Sequence, residues 1–143
     1  MIETLLVKVD NELNDETTGL KELLAVELDA RKFGFEWTDE EMILQQAVSE
    51  CDEVREAISQ QESRDRVQEE IGDLIHTAIS LCVFAGFDTE ETLLKTAKKF
   101  SHRMLALKAV TNEHGLKSLH NKPTEFMLQL WHEAKVRCKT VVS

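Results

Sequence analysis

The sequence predicts an all-α fold, a helical bundle, on three observations. Apolar residues recur at three- and four-residue spacing along nearly the whole chain, the period of a helix face. The 143 residues include one proline and five glycines, too few for the turns of an all-β domain. Thr38 stands three residues before Glu41, and Asp88 three before Glu91. In both pairs a side-chain acceptor precedes a glutamate at capping-box spacing, the signature of a helix start.

The elements follow in order. Ile2, Leu5, Leu6, Val9 and Leu13 share one face and predict a first helix, which "DETTG" interrupts. Leu20, Leu23, Leu24 and Leu28 predict a second helix to about Arg31, with Gly34 as its C-cap. Thr38 opens a third helix that runs to about Gln60. After the polar break "SQQESRDR" a fourth helix runs from about Arg64 to Phe84, and "AGF" ends it. Asp88 opens a fifth, to about Ala109. "TNEHGLKSLHNKP" reads as a loop, Pro123 suits a first helical turn, and a last helix spans Thr124 to about Lys139. We expect one domain over residues 1–143, with 1–37 a helical extension and 38–139 the core that carries the chemistry.

Charge and cysteine usage narrow the function classes. The formal net charge of −10 disfavours nucleic acid as a partner, because phosphate backbones are bound by basic surfaces. The charge is unevenly spread. Residues 39–73 hold 12 acidic and 3 basic side chains, a net of −9; residues 95–122 hold 7 basic and 1 acidic, a net of +6. Cys51, Cys82 and Cys138 are odd in number and form no C-x-x-C pair, so neither a disulfide framework nor a zinc site is expected. The opening "MIETLLVKVD" lacks a basic leader, and the apolar run 74–87 is too short for a bilayer. A cytoplasmic protein with no membrane partner is the expectation.

Two stretches carry candidate chemistry. On the third helix Leu44, Ala47, Val48, Cys51, Val54 and Ile58 form the expected apolar face, with Glu50 and Glu53 to one side. On the fourth, Val67, Ile71, Leu74, Ala78, Leu81 and Ala85 form the main face. Glu70, Asp73, Thr77 and Ser80 make a polar seam along a helix otherwise suited to burial. Each helix thus bears an acidic pair at i, i+3. The short break predicts an antiparallel hairpin, and counting outward from it brings the two pairs to the same height. Such pairs also occur on solvated faces; the coincidence of height is what sets these apart. Four carboxylates on one patch repel unless protons or a cation intervene. Oxygen-only ligands without cysteine point to magnesium, with manganese as a substitute. Gly72 costs about 1 kcal/mol in a helix relative to alanine, which predicts a close approach there by a neighbouring helix or a ligand. His76, one turn past Asp73, is expected to be a hydrogen-bonded core or interface residue.

The spacing Glu50-x-x-Glu53 followed by Glu70-x-x-Asp73, in the context "LQQAVSECDEVREAI" and "VQEEIGDLIHTAI", resembles the MazG-type all-α nucleoside triphosphate pyrophosphohydrolases. "AKKFSHR", residues 97–103, is similar to that family's N-x-K-F-x-R-R helix, keeping Lys99, Phe100 and Arg103. "WHEAK", residues 131–135, fits a W-x-x-x-K pattern found in some members. Ala97 and His102 depart from the pattern, and the likeness covers roughly residues 38–135. The resemblance implies magnesium held by Glu50, Glu53, Glu70 and Asp73, and attack of water on the α-phosphorus of a nucleoside triphosphate. Nucleoside monophosphate and pyrophosphate would be released, and the expected substrates are deoxynucleoside triphosphates in nucleotide-pool cleansing. Glu53 is the preferred base, and Lys99 and Arg103 face the phosphates. Trp131 and Lys135 are expected at the base and the phosphate, and Trp37 as a stacking residue.

Two other classes fit parts of the pattern. A di-iron carboxylate bundle uses Glu-x-x-His motifs, and Asp73 with His76 resembles half of one; a second is missing. A non-catalytic helical binding module would use the charged segments for assembly alone. In either case the apolar circumference of residues 74–87 exceeds what a hairpin covers, so a homo-oligomer is expected, with a tetramer built as a dimer of dimers suggested by relatives.

Overall fold

The computed structural model describes residues 18–141, with side chains as far as Lys139; the helix expected over residues 2–13 lies outside them. The described chain is all-α, with five helices and no strand. Helix α1 spans Gly19–Phe33. Thr18 caps it, its hydroxyl accepting from the Lys21 N–H at 3.3 Å. Gly34 ends it with a φ of 99°, where a side chain would be strained, as the sequence predicts.

Helix α2 spans Glu40–Ser59. Its N-cap is Asp39, not the expected Thr38: the Asp39 carboxylate accepts from the Met42 N–H at 2.8 Å. A charged acceptor meets the positive end of the helix dipole better than a hydroxyl does, so the start moves by one residue. Helix α3 spans Arg64–Phe84 and is capped by Ser63. Helix α4 spans Thr89–Glu113, with Asp88 accepting from the Glu91 N–H at 2.8 Å as expected. It runs four residues past the predicted end at Ala109. Val110 and Thr111 are buried, and the Thr111 hydroxyl donates to the Leu107 carbonyl at 2.7 Å. Burial of that last turn outweighs the polar composition that suggested a loop. Helix α5 spans Thr124–Val141; the Pro123 carbonyl accepts from the Met127 N–H at 3.1 Å.

The chain divides after Phe87 into two compact units, α1–α3 and α4–α5. In the first, α2 and α3 form the expected hairpin through residues 60–63. The faces that pack coincide only in part with the ones the apolar residues mark: Ala47 and Val54 of α2 and Val67, Leu74 and Leu81 of α3 are half-buried, and the rest of each expected face is exposed. On α2 the buried stripe runs through Ile43 and Ala57, with Ala47, Glu50 and Val54 half-buried along it. Leu44, Val48, Cys51 and Ile58 of the expected face are exposed. At 100° per residue the packed stripe is turned by about 70° from the predicted one. On α3 the most buried residues are Glu70, Thr77 and Ser80, members of the polar seam, while Ile71 and Ala78 of the expected face are exposed. The Thr77 hydroxyl donates to the Asp73 carbonyl at 3.0 Å, so it is buried without being orphaned.

Helix α1 is held to α3 by polar groups. Glu27 is the one buried residue of α1. Its carboxylate lies 2.9 Å from His76 Nε2 and 3.5 Å from Arg31. Arg31 also donates to the Ser80 carbonyl at 3.4 Å and lies over the Phe84 ring. In the second unit Val110 of α4 and Leu130 and Ala134 of α5 are fully buried. Arg137 of α5 clamps Glu113 with two hydrogen bonds, of 2.7 and 2.5 Å, and reaches Glu133 at 2.8 Å. No single helix among the described residues is long and apolar enough to cross a membrane.

Candidate active site

The rotation of the hairpin faces decides where the acidic pairs go. Because α2 packs through the Ile43–Ala57 stripe, Glu50 is turned into the seam and half-buried. Because α3 packs through its polar seam, Glu70 is 4 % exposed. Asp73, one turn on, stays exposed. Carboxylate oxygens of Glu50, Glu70 and Asp73 all lie within 4.8 Å of one another. Two ligands of one magnesium ion are separated by roughly 3 to 4.2 Å, given metal–oxygen distances of about 2.0–2.1 Å. Small rotamer adjustments would therefore suffice for these three oxygens to share a hard cation, which an oxygen-only donor set would suit.

Glu53 does not join this cluster. Its side chain is exposed, yet its charge is felt at Glu70. Burial pushes the Glu70 carboxyl above the ordinary carboxylate range, Arg66 pulls it back, and Glu53, Asp73 and Glu50 push it up again. Arg66, one turn before Glu70, forms an ion pair with it and also reaches Glu69 at 3.0 Å and Glu62 at 3.7 Å. Gln46 donates to Glu50 at 2.7 Å, holding that carboxylate from the turn before it. The sequence reading missed both; the available signals were their i, i+4 spacings to Glu70 and Glu50.

It missed Glu27 too. On the α1 wheel Glu27 falls in the middle of the stripe drawn by Leu20, Leu23, Leu24 and Leu28, with Arg31 four residues on. An acid centred on an apolar stripe signals a buried partner. That partner is His76, which turns to Glu27 and is no member of the carboxylate cluster, as expected of a hydrogen-bonded histidine. Glu27 is held below the usual carboxylate range. Burial opposes this, but hydrogen bonds from His76 and Ser80 and the charges of His76 and Arg31 prevail. Gly72 has no neighbour within 4 Å of where a methyl would sit. The close approach expected there is not found among the described residues.

The second unit carries the basic and aromatic candidates. Lys99 is exposed on α4 and Arg103, one turn on, is half-buried. Between them Phe100 meets Trp131 of α5 edge to face, with ring centroids 6.0 Å apart. Trp131 and Lys135 are both half-buried, one turn apart. Trp37 lies in the connection from α1 to α2, also half-buried.

Residues 38–106 match the model of the MazG nucleotide pyrophosphohydrolase domain. The chain carries a MazG domain. That stretch holds all four acidic residues of the two pairs, with Lys99 and Arg103. Two curated relatives agree. The chain is 29% identical over 124 residues to the nucleoside triphosphate pyrophosphohydrolase/pyrophosphatase MazG of Thermotoga maritima, covering 87% of this chain and 47% of that protein. It is 28% identical over 106 residues to the nucleoside triphosphate pyrophosphohydrolase of Escherichia coli, covering 71% of this chain and 39% of that one. The chain thus spans less than half the length of each. The MazG match begins at Thr38 and ends within α4, so helix α1 with Glu27, and helix α5 with Trp131 and Lys135, lie beyond the matched domain.

Proposed function

We propose that this MazG-domain chain hydrolyses nucleoside triphosphates at the α-phosphorus, giving nucleoside monophosphate and pyrophosphate, with magnesium as cofactor. The observation that carries the reading is the convergence of Glu50, Glu70 and Asp73 oxygens within 4.8 Å around a buried carboxylate. Glu50, Glu70 and Asp73 would hold the ion, with Glu53 beside them, and manganese is the expected substitute. Bound there, a divalent ion would neutralise charge on the phosphate chain.

The chain's own residues supply the rest. Glu53 lies outside the three-oxygen cluster, within reach of solvent, and this supports it as the base that orients water and takes its proton. Lys99 and Arg103 share one face of α4. Arginine offers a planar fork to two phosphate oxygens and lysine a point charge. The Trp131 ring, set against Phe100, offers a flat surface for a base, with Lys135 one turn away for phosphate. Trp37 is a second stacking candidate. The substrate class is deoxynucleoside triphosphates in nucleotide-pool cleansing, within the cytoplasm. The outward apolar stripe of the hairpin supports a homo-oligomer, with a tetramer as the expected form.

The deciding experiment is product analysis after incubation with a panel of (deoxy)nucleoside triphosphates, modified bases included, and magnesium. Monophosphate plus pyrophosphate supports the reading and names the substrate. Diphosphate plus orthophosphate contradicts attack at the α position, and no turnover across the panel contradicts the enzyme reading.

A further inference from the structure

The second unit contains a cavity of about 460 Å³ between the C-terminal half of α4 and the loop that follows it. That volume lies within the roughly 300–1,000 Å³ range of small-molecule sites. Half-buried Met104, Leu107 and Leu119 give it an apolar floor, and exposed Lys108, Lys117 and His120 give it a polar edge. It includes none of the residues assigned above to metal or substrate.

The cavity lies in the basic stretch of the chain, residues 95–122. The chain has 27 acidic against 17 basic side chains, yet no aspartate or glutamate lines it. Among the described residues no carboxylate lies within ion-pair distance of Lys108, Lys117 or His120, a state the two lysines share with most of the chain's lysines; Lys95, paired with Glu91, is the exception. Nor does the helix dipole engage Lys108. It rewards cations in the last turn of a helix, and Lys108 lies before the last turn of α4. The loop is also tied down: the Leu116 N–H donates to the Thr111 carbonyl at 3.2 Å, and the Lys122 N–H to the Leu119 carbonyl at 3.3 Å. The backbone that carries these cations is therefore fixed beside the apolar floor.

We propose that this cavity binds a phosphate monoester with an apolar or aromatic body. The two lysines balance a group that carries about −1.5 to −2 charges at neutral pH, and His120 adds a further donor. The floor of Met104, Leu107 and Leu119 takes the body. The site does not depend on the proposed hydrolase reaction, and its test needs neither metal nor turnover.

The full chain, labelled with ¹³C at its four methionine methyls, is titrated in EDTA with phenyl phosphate and separately with inorganic phosphate. The Met104 methyl should shift and saturate with phenyl phosphate, more weakly with inorganic phosphate, while Met42 stays in place. The double variant K108E/K117E should weaken phenyl phosphate by about tenfold or more, as loss of charge-assisted contacts requires. An unmoved Met104 throughout the millimolar range overturns the proposal. So does an affinity that K108E/K117E leaves unchanged. Equal binding of inorganic phosphate and phenyl phosphate would rule out the organic ligand class.

Discussion

At Glu70 a nearly buried carboxylate faces three other acids and answers to one arginine. Its folded-state pKa lies above the ordinary value, so ionisation costs the folded state stability. The cost is absent at pH below the ordinary glutamate range and grows as pH rises through the raised value. In EDTA at neutral pH, Glu70→Gln should therefore melt at a higher temperature than wild type, and the gain should vanish in acid. Magnesium should raise the melting temperature of wild type and not of Glu70→Gln; thermal scans at several pH values check both. Activity separates the carboxylates differently. Glu50→Gln, Glu70→Gln and Asp73→Asn should nearly abolish turnover together with magnesium stabilisation. Glu53→Gln should slow turnover by about 10²- to 10⁴-fold, the usual worth of a general base, while keeping the magnesium-induced melting shift. Loss of that shift in Glu53→Gln would make it a ligand instead.

Helices α1 and α3 meet through a charged clasp of Glu27, Arg31 and His76. Glu27 has its pKa lowered, so its contribution is present above the ordinary glutamate range and is lost as pH falls through the lowered value. Glu27→Gln should destabilise the protein by roughly 1–3 kcal/mol at neutral pH, the worth of hydrogen bonds to a charged group. The difference should close in acid, which denaturation at pH 7 and at a pH well below the ordinary glutamate range would measure. Helix α4 offers a contrast between cations on one stripe. Lys99→Ala and Arg103→Ala should slow turnover more than Lys95→Ala, whose ammonium already pairs with Glu91 at 3.3 Å. Donors placed at developing phosphoryl charge contribute more than general basicity. Equal small effects at the three positions would mark the stripe as counter-charge alone.

Among the described residues several large apolar side chains of the hairpin are on the outside. Val48 is 64% exposed, Ile58 59% and Ile75 54%. Exposed apolar side chains mark an interaction site where they join into one patch. Light scattering at micromolar concentration should give a multiple of 16.4 kDa, and Val48→Glu with Ile75→Glu should lower it. A monomer mass for wild type would remove the oligomer from the reading. Gly72 belongs to the same question. With space for a methyl within the chain, Gly72→Ala should add about 1 kcal/mol of helix stability unless a second copy or ligand occupies that space.

The helices, their approximate ends and the two acidic pairs were legible in the sequence, because period, caps and spacing are local properties. Local rules still left Thr38 and Asp39 both able to cap α2, and the backbone chose the carboxylate. Which face of each helix packs was not local. Apolar periodicity marked the stripe through Leu44, Val48 and Ile58, but it does not say whether a neighbour in the same chain or another surface covers it. Only the tertiary structure buried Glu70, Thr77 and Ser80 and half-buried Glu50, grouped three carboxylates and left Glu53 outside. It alone brought Glu27 to His76 across 49 residues of chain. The reason is physical: a helix wheel fixes the angle between residues on one helix, whereas the rotation of one helix against its neighbour is set by all the contacts they make together.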